Sequence, residues 1–282
     1  MAMYFKGKKG CPVITKVSEK PDMLQSRVDE TKSCAYLFYE YSGNNKDCAK
    51  NLDTSNVTDM GNMFEDCSKL TSLDVSNFDT SNVTNMYSMF YSCQSLTELD
   101  LSNFDTSNVT NMYSMFYSCQ SLTELDLSNF DTSNVTDIYR MFSGCFRLTS
   151  LDLSSFVISN VARIDNMFSE CSSLTSLNLS SFDTSNVVYM QNMFLNCGRL
   201  TSLNLSNFDT SNAVNMRYMF CGCSSLESLD ISGFDFTNVT YYSDMFTGVP
   251  ADCEILVKDE TAKTWITSKF TNLTNVKVKG AS

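Results

Sequence analysis

Twelve cysteines, 32 aspartates plus glutamates and no histidine define the reactive groups of this 282-residue chain. Without imidazole, nucleophilic or acid-base work would fall to thiols and carboxylates. The carboxylates come in columns. Asp79, Asp105, Asp131, Asp183, Asp209 and Asp235 sit beside Asn82, Asn108, Asn134, Asn160, Asn186, Asn212 and Asn238. Such a row of oxygen ligands could be read as calcium sites. The plainer reading is a ladder of turns, each opened by Asp, in which buried Asn side chains bond the backbone of the adjacent turn. Five of these units, at Asn56, Asn82, Asn108, Asn134 and Asn238, also spell the glycosylation sequon, and the ladder accounts for them equally. A catalytic carboxylate pair needs one cleft with two differently perturbed groups. Here every pair repeats and no unit stands apart, so the sequence predicts no enzyme and no catalytic residue.

Seven thiols, Cys67, Cys93, Cys119, Cys145, Cys171, Cys197 and Cys223, keep one step. Neighbours stacked in parallel at strand spacing lie beyond disulfide reach, which predicts a reduced core column. Cys221-Gly-Cys223 lacks the histidine or second cysteine pair a zinc set requires, so neither metal nor cofactor is expected. Cys11, Cys34, Cys48 and Cys253 fall outside the column, and a Cys34 to Cys48 disulfide in a cap remains open.

Two sets of side chains are candidates for ligand binding. One is a polar, acidic strip carrying Glu98, Asp100, Glu124, Asp126 and Asp152, flanked by serines at the same step. The other is a group of tyrosines, Tyr87, Tyr91, Tyr113, Tyr117 and Tyr139, at positions that vary between units and are expected to be exposed. Tyrosine is enriched in binding hot spots, and a rigid face holds many groups without ordering cost. A solvated sheet face and neutral drift are the competing readings.

The elements that position these groups follow from one period. Phe64, Phe90, Phe116, Phe142, Phe168, Phe194, Phe220 and Phe246 recur every 26 residues, with Phe38 one step upstream. Residues 79–104 and 105–130 are identical, so stacking must be nearly self-similar. In each unit Leu99-Asp100-Leu101-Ser102 alternates as a half-buried strand does, while Val83, Met86, Met89, Phe90 and Cys93 step by three or four. The expected fold is an α/β repeat solenoid with a parallel β-ladder and short helical or 3-10 segments, a second short strand over 82–86 being the alternative. The divisions expected are an N-terminal segment and cap over 1–52, the array over 53–250 and a C-terminal cap over 251–282, since end turns must cover apolar columns and strand edges.

A net charge of −12 disfavours nucleic acid, whose binding draws on Lys and Arg. No run approaches the length of a membrane-spanning helix, and Lys6, Lys8 and Lys9 are not followed by the apolar stretch of a signal peptide. Export by another route, release with a particle and prior removal of a leader all fit that observation.

The run LTELDLSNFDTSNVTNMYSMFYSC over 96–119 resembles the BspA-like leucine-rich repeat family, whose 26-residue form occurs in bacterial surface proteins and domains of unknown function. The resemblance covers roughly 53–250, with departures at Val157-Ile158, Ala213 and Phe236. It implies a leucine-rich-repeat-type solenoid with its ladder on LxLS, acting outside the cell in adhesion or receptor binding toward a cell-surface protein or glycan. The first residues, MAMYFKGKKGCPVITK onward, are more distantly similar to attachment segments of phage tail and fibre proteins. That likeness implies the alternative of a structural part in a larger assembly, with homo-oligomer formation or particle attachment through the N-terminal segment.

Overall fold

A computed structural model describes residues 4–6, 12–14 and 21–280 of the chain. Its core is a file of phenylalanines. From Phe38 to Phe246 consecutive rings of the column stack 5.2 to 5.8 Å apart and within 21° of parallel. Offset parallel stacking is favourable beyond the area buried, and a 26-residue turn returns each ring to the same place. The seven periodic cysteines lie in a second file, buried and unpaired, each thiol donating to a backbone carbonyl of the preceding turn, as Cys119 does to Phe90 at 3.2 Å. Desolvation pushes these thiols up, to about 12 at Cys145, so they behave as small apolar groups.

The segment read as helical contains no helix. Met86, Ser88, Phe90 and Ser92 donate their N–H groups to carbonyls of the next turn at 2.7 to 3.0 Å, while Met89, Tyr91 and Cys93 donate to the carbonyl three residues back at 3.1 to 3.3 Å. Each i to i−3 closure is a single tight turn, which explains the apolar spacing of three or four. Left-handed residues such as Ser88 (φ 52°) and Ser92 (φ 55°) stop these turns from joining into a helix. In three later units a glycine takes the second left-handed position, and at Gly144 (φ 78°) an added Cβ would press on Ser118. The alternative second strand appears as single parallel bridges through Ser33, Asp59, Asn85, Asn111 and Asp137, and again from Arg163 to Tyr241.

Helices occur only at the ends of the described chain. Strands β1 (Tyr4–Lys6) and β2 (Pro12–Ile14) pair antiparallel, and α1 spans Pro21–Thr31. In the array the leucine ladder forms regular strands only from Ser150 onward: β3 (Ser150–Asp152) pairs β4 (Ser176–Asn178) in parallel, with Leu151 opposite Leu177. Then β5 (Ser202–Asn204), β6 (Ser228–Asp230), β7 (Glu254–Val257) and β8 (Val276–Val278) make a second parallel sheet, with α2 (Glu260–Lys269) between its last two strands. Leu99 and Leu125 are buried like their counterparts, yet no strand forms around them. The outward positions differ, although the ladder also breaks between β4 and β5, where they are uncharged. Where strands form these are chiefly Ser and Asn; where they do not, Glu98 and Asp100 face Glu124 and Asp126, and like charges placed directly opposite oppose pairing.

Two further ladders tie the turns together. Buried Thr80 and Asp105 exchange hydrogen bonds between hydroxyl and backbone at 2.8 and 2.9 Å, a bridge repeated at Thr54, Thr132 and Thr210. Asn103 and Asn129 each donate to two carbonyls of the preceding turn. The Cys34 to Cys48 disulfide does not form: both residues are buried as free thiols, and Cys11 lies outside the described residues. No helix among the described residues is long and apolar enough to cross a membrane.

Candidate functional site

The acidic strip becomes a concavity of about 930 Å³ in the stretch where the ladder is open. Glu98, Asp100, Glu124, Asp126 and Asp152 all border it. The geometry follows from the strand alternation, which sends Leu99, Leu125 and Leu151 into the core and their neighbours outward. Towards the ends of the strip the carboxylates are neutralised. Asp74 meets Lys50 at 3.7 Å, Glu254 meets Lys277 at 2.7 Å and Asp230 meets Lys279 at 2.8 Å. The five central carboxylates have no such partner among the described residues. Asp100, Asp126 and Asp152 each accept from the backbone N–H two residues on, at 2.9 to 3.0 Å, which fixes the carboxylate and holds it below the usual range.

The tyrosines are half-buried rather than exposed, because a 26-residue step also stacks them on each other. Tyr91 lies on Tyr117 at 4.6 Å and Tyr113 on Tyr139 at 5.4 Å, while Tyr87 shares a 3.0 Å hydroxyl contact with Tyr36 and covers Gly61, where a Cβ would strike its ring. Arg140 and Arg163 sit over Tyr139 at 4.9 and 4.8 Å, close enough for cation–π attraction. Arg163 also grips the buried Asp165 with two hydrogen bonds of 3.0 Å. The more exposed rings, Tyr189 at 43% and Tyr241 at 51%, escaped the sequence reading, although both depart from the Asp or Asn usual at their position and that departure was the available signal.

The turn Asp and Asn residues behave as a structural ladder. Asn82, Asn108 and Asn134 donate to the carbonyls of Ser55, Ser81 and Ser107 at 2.7 to 2.8 Å, but from exposed rather than buried positions, since the accepting turn lies at the rim. Asp79 accepts at one oxygen from the hydroxyl of Ser81 at 2.6 Å and its N–H at 3.0 Å. The hydroxyl bond, then the N–H bond, holds Asp79 below its ordinary value of 3.8, and the same arrangement recurs at Asp105, Asp131 and Asp183. At Asp235, Thr237 and then Lys258 take the carboxyl down to about 2. A carboxyl lowered on folding contributes stability above its unfolded value, and that contribution is lost as pH falls through the folded value. The melting temperature therefore holds as pH is lowered to 3.8 and then falls, along a limb reaching toward about 2. Melts followed by circular dichroism check this, and a decline beginning above about pH 5 would contradict it.

A parallel solenoid with an LxL ladder is a leucine-rich-repeat-type scaffold. The family described as "Mycoplasma protein of unknown function, DUF285" matches residues 32–151, 97–201 and 165–279, and the chain belongs to that family. A search of curated proteins gives no match. Among solved structures, a leucine-rich repeat protein from Eubacterium ventriosum is 20% identical over 69% of this chain and 57% of its own length, with a TM-score of 0.45. A leucine-rich repeat protein from Bacteroides ovatus is 16% identical over 83% of this chain and 85% of its own, with a TM-score of 0.29. The functional domain of InlJ from Listeria monocytogenes, described as including a cysteine ladder, is 16% identical over 88% of this chain and 48% of its own, with a TM-score of 0.28. The chain thus spans a little over half the length of the first of these. The distant phage-tail likeness gains no support from these matches, and its residues lie largely outside the described ones.

Proposed function

We propose that the chain is a non-enzymatic binding module, acting outside the cell as an adhesin or receptor-binding protein, whose ligand is a Lys- or Arg-rich segment of a cell-surface protein. The observation carrying this reading is the group of five central carboxylates, Glu98, Asp100, Glu124, Asp126 and Asp152, bordering one concavity with no ion pair among the described residues; the one basic residue on its lining, Lys46, lies beside Asp74, and the ends of the same strip are neutralised. Their like charge opposes the ladder there, a cost that a cationic ligand removes. Binding is multivalent, with weak contacts at constant pitch reinforcing one another. The half-buried tyrosines Tyr87, Tyr91, Tyr113, Tyr117 and Tyr139 serve this reading as a stiffening row.

The variant Glu98→Ser/Glu124→Ser, which installs the residue found at Ser72 and Ser150, separates function from structure. It is expected to gain about 0.5 kcal/mol of stability per relieved pair and to lose most of its affinity for an oligolysine peptide measured by calorimetry. Wild-type affinity should fall steeply between low and high salt, because exposed charges are screened within about 8 Å at physiological ionic strength. Salt-independent binding, or a variant that binds as tightly as wild type, would remove the acidic face from the proposal. Absence of any binding would favour a structural part of a larger assembly.

A further inference from the structure

At the C-terminal end of the array, away from the acidic concavity, the last turn departs from the repeat in a concerted way. Phe236 replaces the buried threonine of the bridging column, and Tyr242 replaces the methionine or isoleucine found at Met60, Met86, Met112, Ile138, Ile164, Met190 and Met216. The indole of Trp265, on α2, lies on the Phe236 ring at 4.3 Å and 9°, with Tyr242 edge-on at 5.2 Å. Beside these rings a cavity of about 480 Å³ opens between the last turn and the cap. That size is within the range of small-molecule sites, and aromatic walls with a few convergent polar groups are their usual lining.

Four charged groups border the cavity. Lys258 is paired with Asp235 at 3.2 Å. Asp259 caps α2, its Oδ1 accepting from the Ala262 N–H at 2.8 Å. Lys269 extends its ammonium over Trp265 and Tyr242, at 4.9 and 5.3 Å from the ring centroids, and forms no ion pair among the described residues. Two carboxylates and two ammoniums leave the site with no net charge, which disfavours an ionic ligand. Phe236 covers one face of the indole and the Lys269 ammonium the other, so a ligand meets the ring only by displacing Lys269. What the site offers instead is an aromatic surface, a carboxylate acceptor and an ammonium donor. A pyranose ring matches that set, since its axial C–H bonds present positive edges to an aromatic face while its hydroxyls both donate and accept.

We propose that this cap cavity binds a neutral saccharide residue, with Trp265 and Tyr242 meeting the ring, Asp259 accepting from its hydroxyls and Lys269 donating to them as the side chain swings off the indole. The site is independent of the acidic face and survives the failure of that reading. Trp265 is the single tryptophan of the chain, so its fluorescence reports on this cavity alone. Titration of the full chain with glucose, galactose, N-acetylglucosamine and lactose should give a saturable change in Trp265 emission with at least one of them. Asp259→Asn keeps a good N-cap residue and should weaken that sugar roughly tenfold, the scale of a lost charged hydrogen bond. Tyr242→Met restores the residue of the other turns and should abolish the response, with folding of both variants checked by melting. The proposal is overturned if none of the four sugars gives a saturable change, if both folded variants respond as wild type does, or if only benzoate or tetramethylammonium saturates the signal.

Discussion

A chain lacking residues 105–130 is expected to fold, to melt cooperatively and to retain its stacked core, whereas a chain lacking 105–129 loses it. The first deletion removes one whole turn identical to the turn before it, so that Phe104 is followed by Asp131 and the local sequence is unchanged. The Thr80 hydroxyl that bridges Asp105 meets Asp131 instead, and the Phe90 ring, 5.7 Å from Phe116, receives Phe142. Stability in such an array is a sum over units and their nearest-neighbour interfaces. The cost is therefore one unit and one interface, read as a fall in melting temperature of several degrees. The second deletion leaves Phe130 in place and lengthens one turn by a single residue, so the columns on the two sides of the junction meet out of step. Met and Cys positions fall opposite polar ones, and buried N–H groups lose the carbonyls they donate to. Loss of the cooperative transition in circular-dichroism melts of the 25-residue deletion, beside its retention in the 26-residue deletion, is the expected result. Similar melts for both would show that the turns do not pack residue on residue. Because the deleted turn carries Glu124 and Asp126, the shorter chain also tests the acidic face: its oligolysine affinity should drop while its fold persists.

The columns were legible in the sequence because a repeat of constant length turns burial into a visible pattern: what recurs at Phe64, Cys67 and Leu73 is shielded in turn after turn, with Leu177 alone in those columns only partly buried. Side-chain exposure was legible less well. Tyr91 and Tyr117 vary between units, which reads as freedom from core constraint, yet identical rings in adjacent turns are brought to 4.6 Å and cover each other. The continuity of the leucine ladder was also hidden, since Leu99 and Leu151 share one pattern and differ only in the charge flanking them. The threonine bridge was missed because a Thr in a turn has several local hydrogen-bonding options, and only the stacked neighbour shows which is used. Ile158 illustrates the difference: it stays buried where the hydroxyl would be, and no threonine bridge joins its turn to the following one. In the cap, Trp265 was visible as a singular residue, but its partnership with Phe236 and Tyr242 depends on where α2 returns to the array.

Phe142→Ala and Phe246→Ala probe the same column at its middle and its end, and their effects should differ in kind. Phe142 is fully buried between Phe116 at 5.7 Å and Phe168 at 5.8 Å, and its carbonyl accepts the Cys171 thiol. Truncation costs about 3–5 kcal/mol, the range for a buried phenylalanine whose cavity cannot collapse. Rigid neighbours in both directions resist collapse here. The loss falls on two interfaces at once, so the halves on either side are coupled less strongly than the units within each half, and denaturant unfolding should split into two transitions. Phe246 has one column neighbour, Phe220 at 5.4 Å, and is otherwise covered edge-on by Phe270 at 5.0 Å. Its truncation loosens the cap without dividing the array, so a single transition shifted to lower denaturant is expected, with early loss of the Trp265 signal. Two transitions in both variants, or one in both, would mean that coupling does not run along the phenylalanine file. Phe142→Leu keeps most of the buried volume and should restore the single transition, which separates the loss of packing from any special property of stacked rings.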